Sequence, residues 1–135
     1  MDGAILTPLK KIYNQEGDIF HAMKKNDNGF DGFGEAYFST INKGSVKGWK
    51  KHTKMTLNII VPIGPIKFAV YNEINGEFFS VVLSIENYQR LTIKSGYWLA
   101  FKGIDENNIL LNLASIEHDP EEVISVDLNK ISYDW

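Results

Sequence analysis

The stretch Lys47–Tyr71 reads KGWKKHTKMTLNIIVPIGPIKFAVY and concentrates the chain's reactive side chains. Four lysines (Lys47, Lys50, Lys51, Lys54) and His52 fall within eight residues. Ammonium groups attract anions, and a histidine is the side chain suited to moving a proton near neutral pH. On a strand, residues two apart share a face, so Lys50 and His52 would project to the same side. The chain has two further histidines, His21 and His118. An apolar run, Leu57–Ile63, follows the lysines, then Gly64-Pro65 and a second run, Ile66–Tyr71. A cationic rim feeding a buried hairpin is the pattern expected at the mouth of a β-barrel. Each of these residues also has a plainer reading. His52 and the lysines could be a solvated strand end that keeps an edge from pairing. His118, before Asp119-Pro120, could close a turn, and His21 could lie on the surface.

The elements that must hold this stretch read as β-strands. Glu35–Ile41, Thr56–Pro62, Ile66–Tyr71, Phe78–Leu83, Arg90–Ile93, Trp98–Lys102 and Asn108–Ala114 are rich in β-branched and aromatic residues, with turn residues between them. Ile5–Tyr13 is expected to be an edge strand because Pro8 interrupts it, and Ile19–Lys24 a further strand. Asn75-Gly76 marks a tight hairpin turn. Ser84–Tyr88 predicts one helical turn at most, and His118–Glu122 a turn or a short 3₁₀ segment. Some ten short strands indicate an all-β sandwich or barrel, built as a single domain over residues 1–135.

Composition narrows the function. With 44% apolar residues, the 135-residue chain can bury a core without disulfide or metal support. It has no cysteine, which excludes disulfides, thiolate zinc sites and thiol nucleophiles. Neither a signal-peptide core nor a run of the ~18 apolar residues that a membrane span requires is present. The expected location is the cytoplasm, with no membrane partner. The net charge of −3 argues against a nucleic-acid partner, while the lysine cluster on an acidic protein favours a small anionic ligand. Aromatic side chains such as Trp49 and Tyr71 are core by default, though a base or sugar ring could stack on one of them.

Four stretches, in order, resemble one family. Gly44–Lys51 (GSVKGWKK) resembles the GVLRGLH-type segment of sugar-nucleotide epimerases. Asn14–Phe20 (NQEGDIF) resembles their early D-x-R-G-x-F turn. Leu83–Phe101 (LSIENYQRLTIKSGYWLAF) resembles an LS-x-EN-x-x-QL-x-IP-x-G-x-x-HGF segment. Leu111–Glu122, with Ile131–Asp134, resembles the late Y-x-T-x-x-YY-x-P-x-x-E and WxDP motifs. The family is the dTDP-4-dehydrorhamnose 3,5-epimerase group of RmlC-like cupins.

The resemblance implies a cupin jelly-roll β-barrel, a homodimer, and a nucleotide-sugar substrate in the barrel mouth. The implied reaction takes a proton from the carbon beside a 4-keto group and returns it, with no cofactor. Lys50 stands where the family has its catalytic histidine, and His52 matches the second histidine of a G-x-H-x-H arrangement in related isomerases. The resemblance therefore implies His52 as base, with Lys50 polarising the keto oxygen. Glu117 or His118 lies where a catalytic tyrosine would fall, and Asp134 near the aspartate that would orient the base. Lys47 replaces the arginine before the glycine, and Trp49, Lys54, Asn58 and Tyr71 complete the expected substrate-binding set. Glu16 and Leu99-Ala100 replace an arginine and a histidine of the family. Lys50-Lys51-His52 and Leu99-Ala100 make a poor metal-ligand set, so no catalytic metal is expected. The alternative is a non-catalytic cupin module that binds a sugar nucleotide or a partner protein.

Overall fold

The computed structural model describes residues 1–135, and twelve strands make up most of its regular structure. Strands β1 (Ala4–Pro8), β9 (Gln89–Ile93), β6 (Leu57–Ile63), β11 (Ile109–Ala114) and β4 (Glu35–Thr40) form the first sheet, in that spatial order. Strands β12 (Val123–Ser125), β5 (Val46–His52), β10 (Trp98–Gly103), β7 (Ile66–Tyr71) and β8 (Phe78–Leu83) form the second. A small ribbon pairs β2 (Lys11–Ile12) with β3 (Ile19–Phe20). Every strand pair is antiparallel. The two five-stranded sheets face one another as a jelly roll, the fold class expected from the strand pattern.

Alternation decides what each strand sends inward. On β7, Ile66, Phe68 and Val70 are fully buried and join Leu57, Ile59 and Val61 of β6 in the core between the sheets. Ala69 of β7 turns to the far side of the second sheet. There it meets Trp49, Trp98 and Ala100, under a cover that includes Val126 and the C-terminal Ile131, Tyr133 and Trp135. Strand β6 is buried on both faces, because the segment Ala22–Asp31 folds over the outside of the first sheet. Arg90 fastens that segment. It is fully buried and donates to the carbonyls of Ala22 (2.8 Å) and Asn28 (2.9 Å), to Asn58 Oδ1 (3.1 Å) and to Asp27 (3.4 Å).

The structure differs from or sharpens three local expectations. The runs Leu57–Ile63 and Ile66–Tyr71 are not a hairpin. β6 pairs with β9 and β11, while β7 pairs with β8 and β10, so Gly64-Pro65 carries the chain from one sheet to the other. Both arrangements need an apolar run, a corner and another apolar run, and the local sequence does not distinguish them. Ser84–Tyr88 is a bend with no helical turn, and the strand expected at Ile19–Lys24 shortens to Ile19–Phe20. The Asn75-Gly76 turn joins β7 to β8 as a hairpin, and Pro8 ends edge strand β1.

One irregularity organises the site. Between β5 and β10 the register is Trp98↔Lys51 and Leu99↔Lys50, then Phe101↔Lys47 and Lys102↔Val46. Gly48 and Trp49 therefore bulge opposite Ala100. Past such a bulge the inside and outside faces exchange. Val46 joins Trp49 on the outer face, and Lys47 comes to the same side as Lys50 and His52.

Two substitutions test these supports. Arg90→Leu removes the donor shared by the carbonyls of Ala22 and Asn28 and by Asn58 Oδ1, so urea unfolding is expected to show a loss of about 1–3 kcal/mol. A loss under about 1 kcal/mol, the size of a surface ion pair, would mean the clamp contributes little. At Gly48, an added Cβ would lie 2.3 Å from Ala100 Cβ and 2.8 Å from its Cα. Gly48→Ala is expected to cost about 1–3 kcal/mol through overpacking, with partial recovery in Gly48→Ala/Ala100→Gly.

Candidate active site

A cavity of about 230 Å³ lies between the two sheets. The second sheet contributes Lys47, Gly48, Lys50, His52, Leu99, Phe101 and Val123 to its wall. Tyr37, Ser39, Leu57, Ile59, Leu110 and Asn112 line it from the first, and His118 from the segment after β11. Sites for drug-sized molecules run to about 300–1,000 Å³, so this cavity suits one sugar-sized ring, with any larger attached group lying across the mouth.

His52 is the cavity imidazole whose ring is held by a carboxylate. Its Nδ1 lies 2.7 Å from Glu122 Oε2. Glu122 is 2% exposed and its other oxygen accepts from the main-chain N–H of Met55 (2.8 Å) and Lys54 (3.1 Å). Burial pushes the Glu122 carboxyl up, but the bonds from Met55, His52 and Lys54 outweigh it and hold the group below the ordinary carboxylate value. An ionised carboxylate accepts, so the imidazole Nδ1 must donate, and Nε2 is left with a lone pair for a ligand. Local sequence delivers Glu122 to this point. Asp119 caps the 3₁₀ turn Pro120–Glu122 by accepting from the Glu121 N–H (3.0 Å). The following strand β12 then pairs with the end of β5 through Val123↔His52.

The lysines divide by face. Lys47 bridges the sheets at the cavity rim, donating to Thr40 O (2.6 Å) and approaching Ser39 Oγ (3.4 Å). Lys50 is exposed on the cavity wall and has no carboxylate or hydrogen-bond partner in the protein. Lys51 faces the other way and pairs with Glu73, whose second oxygen accepts from Trp98 Nε1 (2.9 Å). On the opposite wall, the Tyr37 hydroxyl accepts from Asn112 Nδ2 (2.9 Å).

The residues singled out from sequence thus part company. Lys47, Lys50, His52 and His118 gather around the cavity. The other five lie elsewhere. Trp49 is 0% exposed and packs on the outer face against Phe78, Tyr133 and Trp135, because the bulge and alternation turn it away. Asn58 is buried on the outer side of β6, bound to Gly29 O, Arg90 and Thr92. Tyr71 belongs to a separate outer hollow with Glu73, Phe78 and Trp98. Lys54 serves through its main-chain N–H, bonded to Glu122, and its side chain does not line the cavity. Asp134 is exposed on the tail between Tyr133 and Trp135, and the carboxylate at the histidine is Glu122 in its place.

Sequence reasoning passed over Glu122, Tyr37 and Asn112. Glu122 was hidden in an acidic run that reads as a solvated turn. Tyr37 carried a usable signal. Strand β4 turns Glu35, Tyr37 and Ser39 inward and Ala36, Phe38 and Thr40 outward. A strand whose polar set faces the interior marks a polar-lined cavity. No three His, Asp or Glu side chains converge with metal-ligand geometry.

No family model and no curated protein matches the sequence. Solved structures do. The dTDP sugar isomerase of Desulfovibrio desulfuricans G20 is 30% identical, with a TM-score of 0.92 over 99% of this chain and 91% of that one. The 3,4-ketoisomerase QdtA of Thermoanaerobacterium thermosaccharolyticum was solved as a variant with TDP-4-keto-6-deoxyglucose. It is 24% identical, with a TM-score of 0.80 over 92% of this chain and 88% of that one. The 3,5-epimerase of Legionella pneumophila Philadelphia 1, solved with dTDP-4-keto-L-rhamnose, is 18% identical, with a TM-score of 0.86 over 100% of this chain and 79% of that one. The latter two show the shared fold. With the first, whose identity extends over nearly the whole chain, they establish that this chain belongs to the RmlC-like family of sugar-nucleotide epimerases and isomerases.

Proposed function

We propose that the protein is an epimerase or isomerase of a nucleotide-linked 4-keto-6-deoxyhexose, working by proton transfer without a cofactor. The observation that carries this reading is the His52–Glu122 hydrogen bond on a cavity wall that also bears the unpartnered Lys50. His52 Nε2 takes the proton from the carbon beside the ketone. The electron pair of that C–H bond moves into the carbonyl, and Lys50 offsets the charge developing on its oxygen. Two outcomes balance. A proton returned to the same carbon from the opposite face epimerises it, and Tyr37, across the cavity, is our donor for that step. Alternatively, the former carbonyl carbon receives the proton while the neighbouring hydroxyl loses its own, and the ketone migrates by one carbon.

Lys47 at the rim, with His118 at the mouth, is assigned to the nucleotide diphosphate. A homodimer fits the exposed Phe33 and Phe38, 62% and 70% accessible beside edge strand β4. The substrate class assigns the protein to deoxysugar or polysaccharide biosynthesis in the cytoplasm. No helix is long and apolar enough to cross a membrane.

The direct test is incubation with a dTDP-4-keto-6-deoxyhexose in D₂O, followed by NMR. A new isomer is expected, with deuterium at an inverted carbon for epimerisation or at the former carbonyl carbon for isomerisation. Binding of dTDP with no deuterium uptake, across several such sugars, would overturn the enzymatic reading in favour of a binding module.

Glu122→Gln tests the dyad. The amide oxygen still accepts from Lys54 and Met55, but the NH₂ now faces Nδ1 and forces the proton onto Nε2. The rate is expected to fall by about 10²–10⁴-fold with the fold retained, as wrong-tautomer substitutions do in other enzymes. The same variant has a pH signature. The Glu122 carboxyl is held below the ordinary value of an unfolded glutamate, so its stabilisation is fully present above that value. It is lost as pH falls through the folded-state value. Thermal melts are therefore expected to show the wild-type advantage over Glu122→Gln shrinking as pH drops below the ordinary glutamate range.

A further inference from the structure

Asn112 spans the space between the first sheet's backbone and the cavity. It is 1% exposed. The main-chain N–H of Asn58 donates to its Oδ1 at 3.1 Å. A main-chain N–H can only donate, and this fixes the orientation of the amide. Oδ1 must face Asn58, and the NH₂ must face Tyr37. Nδ2 lies 2.9 Å from the Tyr37 hydroxyl oxygen, which therefore accepts. The Tyr37 hydroxyl makes no other hydrogen bond to the protein, so its own proton has no acceptor except whatever occupies the cavity. Asn58 is held in turn. Its Oδ1 accepts from Arg90 Nε (3.1 Å) and Thr92 Oγ1 (2.6 Å), and its Nδ2 donates to Gly29 O (3.0 Å).

We propose that Asn112 is a positioning residue for the reaction: by donating to Tyr37 it leaves the phenol proton aimed into the cavity, at the keto sugar. This rests on the epimerase or isomerase reading above. The hydrogen-bond polarity runs one way, from a main-chain donor to an amide oxygen, then from the amide NH₂ to the phenol oxygen, and last from the phenol to the substrate. An aspartate at position 112 keeps the acceptor for Asn58 at nearly the same size. Its second oxygen also accepts, however, and would draw the Tyr37 proton away from the substrate.

The test compares Asn112→Asp, Tyr37→Phe and the double variant, using turnover of a dTDP-4-keto-6-deoxyhexose and titration with dTDP. Each single variant is expected to lower kcat by about 10²-fold or more, the scale of a positioned proton donor. KM and dTDP affinity should stay within about threefold, because the interaction is made with the reacting atoms. The double variant should be no slower than Tyr37→Phe alone, since Asn112 acts through the hydroxyl that Tyr37→Phe removes. Losses that multiply in the double variant, or an unchanged kcat in Asn112→Asp, would overturn the proposal. Should Asn112→Asp not fold, NMR of the Asn112 side-chain amide decides. Its protons are expected to shift in Tyr37→Phe as their acceptor is lost, and unmoved resonances would overturn the proposal. Wild-type protein that shows neither isomer nor deuterium uptake sinks the enzymatic reading itself, a different failure from a wild type that turns over beside an equally active Asn112→Asp.

Discussion

The buried carboxylate of Glu122 is the contact on which the site's geometry depends. Taking one charge out of water costs several kcal/mol. Hydrogen bonds to a charged group are worth about 1.5–3 kcal/mol each, so the three from His52, Lys54 and Met55 offset that cost. The main-chain carbonyl of the same residue accepts from both the N–H and the hydroxyl of Thr53. One residue thus binds the end of β5, the linker that crosses to β6, and the imidazole that faces the cavity. Histidine orientation and sheet-to-sheet connection are one structural event, and neither is set by the local propensity of either segment.

The cavity has two unlike walls. The second sheet supplies positive charge and the histidine, and the first supplies neutral hydroxyl and amide groups. The bulge at Gly48-Trp49 makes this possible, because perfect alternation would have sent Lys47 outward with Lys51. The outward set carries its own partners: Lys51 with Glu73, and Trp49 with the aromatic tail. The division leaves Lys50 as a wall cation with no internal counter-charge. An unpaired ammonium beside a hydrogen-bonded imidazole is an arrangement for meeting negative charge as it develops.

Strand character was legible because alternation and turn residues are local signals. Partner choice was not. Leu57–Ile63 and Ile66–Tyr71 announce burial on both faces, but beyond the opposing sheet the cover is the Arg90-clamped segment for β6 and the cluster with the C-terminal tail for β7, all distant in sequence. The cationic residues and histidines around the cavity drew notice by type. Asn58 and Trp49 drew notice by type as well, yet alternation and the bulge send them to other faces. Glu122 shows the opposite case. In the run Glu117–Asp127 each acid reads as solvated, and only tertiary pairing of β12 with β5 separates the buried one from its neighbours.

In the proposed reaction Lys50 narrows the assignment of the base, because the segment it resembles carries a histidine there. An ammonium at that place cannot accept a proton, so in the proposed reaction the role of base falls to a neighbouring imidazole. His118 also borders the cavity, but it is exposed and only its main-chain N–H is held, by Glu35. With no carboxylate on its ring, nothing fixes which nitrogen carries the proton. His52 has that partner, and its ring is only 14% exposed. A base must present a lone pair at a defined point, so ring fixation favours His52 over a more accessible imidazole. In the proposed reaction Lys50 is then the cation that a proton abstraction beside a ketone requires.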